Sequence, residues 1–311
     1  MRIITPSYTI LHDLDGKSLA ERIEYCGRIC YKSENLIDKD TALPFVEKMA
    51  DHGHNSVLEM GVITFKLSGL TQQRIDSFLH CQPVFLQINR LRDDTLLITG
   101  SVRAYRELFI FQPDNEVIQA VTAFISRRHP YFYHSLSPVD SLESLPGIHV
   151  EKIELDEVDR LDPDLLGRHR YLGVKFTVNR AVTHELVRHR PCSFLQESQR
   201  YCRYSADKFG NEVTFIKPLF YQEDSQEYQL WLQAMEETEK LYLKLLETST
   251  PQAARTVLPN SCKTEIIVYT NLVEWGHILT LRTPKNADPS MREVMIPLLE
   301  ELKALFPGQF A

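Results

Sequence analysis

The sequence lacks the glycine-rich loops with which two common classes of enzyme bind nucleotides. Only 12 of its 311 residues are glycine, and no two of them are separated by a single residue, so the G-x-G-x-x-G fingerprint is absent. The most closely spaced pair, Gly167 and Gly173, is one residue too far apart for a P-loop. Any phosphate bound by this chain must therefore be held mainly by side chains or by the N-terminus of a helix.

Excess positive charge, paired cysteines and long apolar runs are also missing. The chain has 35 basic and 42 acidic residues, a net charge of −7, which argues against a nucleic acid as partner. Its six cysteines form no C-x-x-C pair, and the first residues, MRIITPSY, do not resemble a secretory signal peptide, so we expect reduced thiols and a cytoplasmic location. No apolar run approaches the roughly 18 residues of a membrane span, so no membrane partner is expected.

The hydrophobic pattern predicts an α+β fold, a mainly antiparallel sheet flanked by helices. Alternation predicts a strand around residues 174–178 and a second at 61–67. Helices are predicted at 16–31 and 41–49, along a long amphipathic stretch near 228–245, from the cap Asn271 to Leu281, and at 290–305. No internal repeat is evident.

The chemistry concentrates in residues 184–205, HELVRHRPCSFLQESQRYCRYS. Four arginines lie here among side chains that favour burial, such as Phe194 and Leu195, and a buried arginine requires an anionic partner. A helix is predicted to run to Arg190 and stop at Pro191, which leaves residues 193–198 as an irregular loop facing the arginines. The guanidinium fork suits phosphate and carboxylate, so the segment predicts an anion or nucleotide site.

A zinc site is not predicted. His184-Glu185 resembles the start of an H-E-x-x-H motif, but the next histidine, His189, comes five positions later instead of four. On a continuous helix the two imidazoles would lie roughly 140° apart, and the neighbouring arginines would repel a dication.

Three ordered blocks resemble the flavin-dependent thymidylate synthases. Arg188-His189-Arg190, followed after seven residues by Ser198 and then by Arg200-Tyr201, is similar to the signature of that family. Upstream, HGHNSVLE (52–59) resembles the family's His-x-Ser/Thr-x-x-Glu segment, and downstream, residues 254–282 resemble its C-terminal block. The likeness implies one domain over residues 1–311 with an insertion at about 70–170.

The resemblance implies an enzyme that converts dUMP to dTMP, with methylenetetrahydrofolate as carbon donor, FAD as cofactor and NADPH as reductant. It also implies a homotetramer in which more than one subunit builds each active site. The residues that would contact FAD are His54, Ser56, Glu59, Arg188, His189, Arg190, Asn271 and His277. Those that would bind dUMP are Ser198, Arg200, Arg255, Arg282, Gln196 and Glu185. Ser198 and Arg282 would be catalytic, with Arg282 stabilising negative charge on the pyrimidine.

The chain departs from the family pattern where relatives tend to carry a cation. Val273 and Gly276 stand at positions where arginine is common, and Met60 replaces a common histidine. Two rivals therefore stay open: a related flavoprotein that modifies another nucleotide, and a nucleotide-binding homologue without catalysis. Cys192 and Cys202 flank the motif, but nothing in the sequence places a base beside either, so neither is predicted to be a nucleophile.

Overall fold

The computed structural model describes residues 1–136, 145–206 and 209–310. Its strands, in chain order β1 to β10, are Arg2–Ile4, Ser7–Ile10, Val62–Ser68, Leu86–Arg92, Thr95–Ser101, His149–Ile153, Tyr171–Asn179, Ser193–Gln196, Thr214–Ile216 and Lys263–Asn271. Its α-helices, in chain order α1 to α13, are Leu19–Ile29, Ala42–Asp51, Asn55–Leu58, Gln72–His80, Val102–Phe111, Glu116–Arg128, Leu155–Val158, Pro163–His169, Arg180–Leu186, Gln226–Thr248, Pro251–Ala254, Leu272–Arg282 and Pro289–Leu305.

Eight of these strands form two four-stranded antiparallel sheets. The first sheet has the order β2-β7-β10-β8 and the second the order β4-β5-β3-β6, while β1 and β9 pair in parallel. Helices cover both sheets, so the predicted α+β class with mainly antiparallel strands is confirmed.

The first sheet is buried on both faces. On one face, Val174 and Phe176 of β7 and Val268 of β10 pack against α9, α12 and α13. The next residues along β10, Ile267 and Tyr269, point the other way and join the core that α1, α2 and the second sheet share. Because successive side chains of a strand alternate between faces, a strand in such a sheet is buried along most of its length, and β10 is buried at every position after Lys263, with a run of apolar residues from Ile266 to Tyr269.

The region predicted as an insertion builds most of the second sheet. Strands β4, β5 and β6 lie between residues 70 and 170, and β3, which precedes this region, pairs with both β5 and β6. Residues 137–144 of the region lie outside the described part of the chain. Since β3 also contributes to the shared core, the region is integrated with the rest of the structure and is not a peripheral loop.

Two local predictions around the arginine motif are wrong. Helix α9 ends at Leu186, four residues before Arg190, so His189 is not on that helix. Residues 193–196, predicted as part of an irregular loop, form the strand β8 against β10. Within the described ranges, no helix is both long and apolar enough to cross a bilayer.

Candidate active site

Arg282 at the end of α12 is the centre of one cluster of predicted residues. Its Nε donates to Nε2 of His189 at 3.0 Å, its Nη1 donates to a carboxylate oxygen of Glu185, and its Nη2 donates to the Glu185 carbonyl at 3.1 Å. The ring of His277, one helical turn before Arg282, lies 6.1 Å from the His189 ring, centroid to centroid. We call these four residues, Glu185, His189, His277 and Arg282, the Arg282 cluster. Arg282 keeps two N–H groups that this network does not use.

The contact with Arg282 fixes the state of His189. A guanidinium has no acceptor atom, so Nε2 of His189 must accept the hydrogen bond with its lone pair, and the ring proton belongs on Nδ1. Burial, together with the positive charges of Arg282 and Arg188, lowers the pKa of His189 to about 4. His189 is therefore a neutral imidazole at pH 7.

We expect the His189 ring to remain neutral as the pH falls from 8 to 5. The folded pKa lies below the ordinary value near 6.5, so the unfolded chain binds more protons and acidification from about 6.5 towards 4 costs stability. Nitrogen-detected NMR of the histidine rings measures this directly. A His189 ring that titrates near pH 6.5 would contradict the assignment.

Three side chains near this cluster have the spacing of a metal site. His189, Glu274 and His277 bring possible ligand atoms within 4.8 Å of one another. The lone pair of His189 Nε2 is already taken by Arg282, and Arg188 adds positive charge beside the ring. Both arginines disfavour a bound cation at this place. The absence of a metal stays a prediction, and these contacts are consistent with it.

Strand β8 lies in the chain between His189 of the Arg282 cluster and the second group of predicted residues. Gln196 at its end donates from its amide to Thr183 at 3.1 Å and to Thr264 at 3.2 Å, which ties α9 to β10. The next residues turn away from the sheet, and the Ser198 backbone N–H donates to the Cys30 carbonyl at 2.9 Å. Because β8 rises about 3.3 Å per residue, its two ends lie roughly 10 Å apart.

The second group combines two arginines and a serine around the short helix α11. Arg200 is exposed, donates from Nε to the Gln252 amide oxygen at 3.2 Å, and lies 5.6 Å from the Tyr201 ring centre. Arg255 follows α11 directly and is half-buried, and among the described residues its side chain has no ion pair or hydrogen bond. Ser198 accepts a hydrogen bond from the Arg200 backbone at 3.3 Å. We call Ser198, Arg200 and Arg255 the Arg200 cluster.

A buried ion network that the sequence did not reveal supports the Arg200 cluster. Glu197, whose side chain is 1% exposed, accepts from Lys263 Nζ at 2.8 Å and from the Tyr204 hydroxyl at 2.9 Å. Lys263 and Lys32 both contact the Glu265 carboxylate, at 2.8 and 2.9 Å, and these cations hold the pKa of Glu265 at about 2 despite its burial. The network anchors the residue before Ser198 and so fixes the course of the chain through the cluster.

The predicted His54 segment lies against the same end of the molecule. Helix α3, which follows His54, packs against β8. His54 is exposed, with Nδ1 3.4 Å from the Tyr31 hydroxyl, and the Tyr31 ring lies 5.4 Å from the Tyr201 ring. Ser56 is also exposed. His54 and Ser56 thus present exposed polar groups near the Arg200 cluster.

Glu59, in the same segment, is already paired. Its carboxylate accepts from Arg103 Nη1 at 2.6 Å, and Arg103 Nε donates to Glu107 at 2.6 Å. With two carboxylates on one guanidinium, Arg103 carries little free positive charge, so its role is to hold Glu59 in place.

The remaining predicted residues differ in how free they are. Arg188 and Arg190 are exposed, and within the described part of the chain neither has an ion pair, so both can meet an anion. Asn271 is buried, accepts from the Glu274 N–H as the cap of α12, and donates to the Arg168 carbonyl at 3.1 Å. The oxygen and the nitrogen of its side chain amide are therefore both hydrogen-bonded within the protein. Val273, 54% exposed, leaves the first turn of α12 without a cation.

The fold and these clusters together define an antiparallel α+β protein that presents free arginines to an anionic ligand. The chain belongs to the thymidylate synthase complementing protein family, Thy1, whose family model matches residues 15–79 and 166–308.

Curated relatives are named flavin-dependent thymidylate synthases. The protein of Pyrococcus abyssi is 36% identical over 161 residues, which cover 49% of this chain and 65% of that protein. The protein of Corynebacterium efficiens is 36% identical over 149 residues, which cover 43% of this chain and 57% of that one. The matched part thus spans less than two thirds of the length of these relatives.

Solved structures show only a remote likeness. Thymidylate synthase X from Helicobacter pylori, crystallised with FAD and dUMP, aligns with 45% of this chain and 71% of its own at 20% identity and a TM-score of 0.35. The UMP/dUMP methylase PolB from Streptomyces cacaoi, bound with 5-Br dUMP, aligns with 66% of this chain and 85% of its own at 17% identity and a TM-score of 0.40.

Proposed function

We propose that the protein is a flavin-dependent thymidylate synthase, which converts dUMP to dTMP with methylenetetrahydrofolate as carbon donor and NADPH as reductant. The observation that carries this proposal is the Arg200 cluster, in a chain that belongs to the Thy1 family. Its two arginines flank α11 and keep N–H groups free for a phosphate, as a chain without glycine-loop phosphate sites requires.

The residues present fit FAD as the cofactor. Arg188 and Arg190 are exposed arginines without an ion pair among the described residues, which suits the two phosphates of a dinucleotide. His54 and Ser56 offer further exposed polar groups, and Glu59 is held by Arg103. When bound, the flavin supplies the hydride that reduces the transferred methylene group.

The chain's own residues bind the nucleotide and stabilise charge. Arg200 and Arg255 hold the phosphate, and Ser198 adds a hydroxyl beside them. Arg282 has two N–H groups left for a pyrimidine carbonyl, and its other donors are held by Glu185 and His189, so its orientation is set before the ligand arrives. A preorganised donor of this kind stabilises negative charge that develops on the ring.

The assembly and location belong to the same proposal. We infer a homotetramer with shared active sites, which the resemblance to the flavin-dependent thymidylate synthases implies. We also infer one domain over residues 1–311 with an insertion at about 70–170, and a cytoplasmic location, which suits the six free cysteines.

One observation favours a rival. Val273 and Gly276 leave the exposed start of α12 without positive charge, and a cation there would attract the cofactor phosphates. A nucleotide-binding homologue that has lost the flavin would keep the Arg200 cluster and fail to retain FAD. The proposed enzyme retains both ligands.

The proposal excludes a cysteine nucleophile, and this can be tested. We expect Cys192→Ala and Cys202→Ala, singly and together, to convert dUMP to dTMP within roughly tenfold of the wild-type rate. Burial raises the pKa of Cys192 to about 12, so it is not a thiolate at neutral pH, and Cys202 is fully buried.

The measurement is dTMP formation with methylenetetrahydrofolate, NADPH and FAD present, and with each omitted in turn. Loss of a covalent nucleophile costs on the order of 10⁴–10⁶ in rate. A thousandfold loss in a cysteine variant that still binds FAD and dUMP would overturn the mechanism.

A further inference from the structure

The two four-stranded sheets repeat one topology. Each contains a strand, a helix, two strands and a helix in that order: β3, α4, β4, β5 and α5 in one, and β7, α9, β8, β10 and α12 in the other, where β9, α10 and α11 are inserted between β8 and β10. In each, the last strand leads directly into a helix whose N-cap is the strand's final residue, Ser101 or Asn271. We call residues 62–111 the first repeat and residues 171–282 the second repeat.

The repeats also align in sequence. Residues 62–87 align with residues 171–196 without a gap, so that equivalent residues are always 109 positions apart. The seven residues of β3 and the first seven of β7 have the same order of buried and half-buried positions. His80 falls on His189, and Phe-Leu-Gln at 85–87 falls on Phe-Leu-Gln at 194–196. The prediction that the chain contains no repeat is therefore wrong. The sequence alone did not reveal the repeat, because few identities survive and the pattern shows only once the strands are placed.

Each repeat completes its sheet with the strand that precedes the other repeat. Strand β2 comes before the first repeat but pairs with β7 of the second, and β6 comes before the second but pairs with β3 of the first. The repeats are thus interlocked as subunits are in a strand-exchanged dimer. The counterparts of Arg188 and Arg190 in the first repeat are Leu79 and Cys81, so the arginine motif belongs to the second repeat alone.

A cavity of about 250 Å³ lies where the two repeats meet. Val62 and Tyr171, the equivalent first residues of β3 and β7, both line it, together with the start of α1, the end of β6 and α7. It shares no lining residue with the Arg200 cluster or the Arg282 cluster.

Two of the four cations that line the cavity are neutralised by neighbouring carboxylates. Arg170 pairs with two carboxylates, Asp15 at 2.6 Å and Asp159 at 2.8 Å, and Lys152 pairs with Glu154 at 2.7 Å. His169 adds no charge, because its two ring nitrogens bond to Thr99 and Asn89 and burial lowers its pKa to about 4.

The other two cations, Arg22 and Lys17, are not held by a close carboxylate. Arg22 is half-buried, donates from Nε to the Leu14 carbonyl at 3.3 Å and from Nη1 to the Tyr269 hydroxyl at 3.2 Å, and has no carboxylate partner in the described part of the chain. Lys17 has one carboxylate, Glu21, at 4.0 Å, and it is more than half exposed. A half-buried guanidinium without a counter-charge is costly unless an anion joins it.

The volume of the cavity and the other residues of its wall limit the size and shape of an anion that could bind beside Arg22. The cavity is at the small end for a ligand site, and its walls also carry aliphatic side chains such as Leu19, Val62 and Ile153. We propose that the junction between the repeats is a second ligand site, which binds a small organic anion: a carboxylate or phosphate on a compact apolar body. The anion joins Arg22 and Lys17, and the apolar body lies against the aliphatic wall.

Isothermal titration of the full-length protein with phenyl phosphate and with benzoate tests this proposal. Binding of at least one of them is expected, and which one binds more tightly separates a phosphate site from a carboxylate site. Benzamidine, a cation of similar shape to benzoate, should not bind. Absence of binding by both anions at millimolar concentration, or equal binding of benzamidine, would overturn the proposal.

Two variants separate this cavity from the candidate active site. Arg22→Gln should weaken binding of the anion roughly tenfold or more, since it removes a charge-assisted contact, and should leave dUMP binding unchanged. Arg200→Ala should do the reverse. If Arg22→Gln does not fold, Lys17→Gln at the exposed rim should weaken binding by roughly threefold. The opposite result would refute the second site. If Arg200→Ala abolishes binding of the anion while the Arg22 and Lys17 variants leave it intact, the ligand binds at the nucleotide site.

Discussion

Replacing Lys263 by methionine should lower the free energy of unfolding by about 3–5 kcal/mol, the usual cost of removing one partner from a buried ion pair. Lys263 is 15% exposed and holds Glu197, which is 1% exposed and would keep only the Tyr204 hydroxyl. Chemical denaturation followed by circular dichroism measures the change. The control is Lys240→Met, whose side chain is 72% exposed and should change stability little.

The same variant also tests whether the network positions the Arg200 cluster. Glu197 immediately precedes Ser198, so a displaced Glu197 should weaken dUMP binding in protein that is still folded. A loss of stability below about 1 kcal/mol would mean that Glu197 takes up a proton or reaches water, and that Lys263 does not anchor this segment.

Replacing Arg200 by alanine should raise the dissociation constant of dUMP by about ten- to hundredfold, because a charged hydrogen bond contributes about 1.5–3 kcal/mol. Arg200 is exposed and held by Gln252, so its loss should not disturb the fold. FAD affinity should change much less, since Arg200 is not among the residues proposed to hold FAD. Calorimetric titration of both ligands is the measurement.

A matched control for this variant is Arg160→Ala. Arg160 is 73% exposed, pairs with Asp156 on α7, and contacts neither cluster. It should leave both affinities unchanged. If Arg200→Ala weakens FAD and dUMP equally, or affects neither, the assignment of Arg200 to the phosphate is wrong.

Local chemistry made several features of the fold predictable from the sequence. Asn271 was expected to cap a helix, and it does, because an asparagine side chain can accept from the N–H groups of the first turn whatever the rest of the chain does. The strand at 174–178 and the long helix α10 follow from periods of 2 and 3.6 residues. These signals lie within the segments that they describe.

Features that depend on distant partners were not predictable in the same way. Residues 193–196 are short and follow a proline, and they form a strand because β10, about 70 positions later, offers an edge to pair with. The Glu197–Lys263 pair joins residues 66 positions apart, with no spacing that would indicate it. The repeat is hidden for a similar reason, since its signal is a pattern of burial with few shared residues.

The candidate site was predicted in its residue types more fully than in its arrangement. The motif at 188–190 predicted arginines placed among buried side chains, but Arg188 and Arg190 are exposed. The sequence did not show that Arg282 would be engaged by Glu185 and His189, because that network forms only when α9 and α12 are brought together.

Flavin binding by this chain is measured by the visible absorption spectrum of the purified protein. After incubation with FAD and gel filtration, we expect the protein fraction to carry the two visible bands of oxidised flavin and to bind dUMP. Arg188→Ala should lose the bands and keep dUMP. Protein that binds dUMP but retains no flavin at saturating FAD would contradict the account and identify a nucleotide-binding homologue without catalysis.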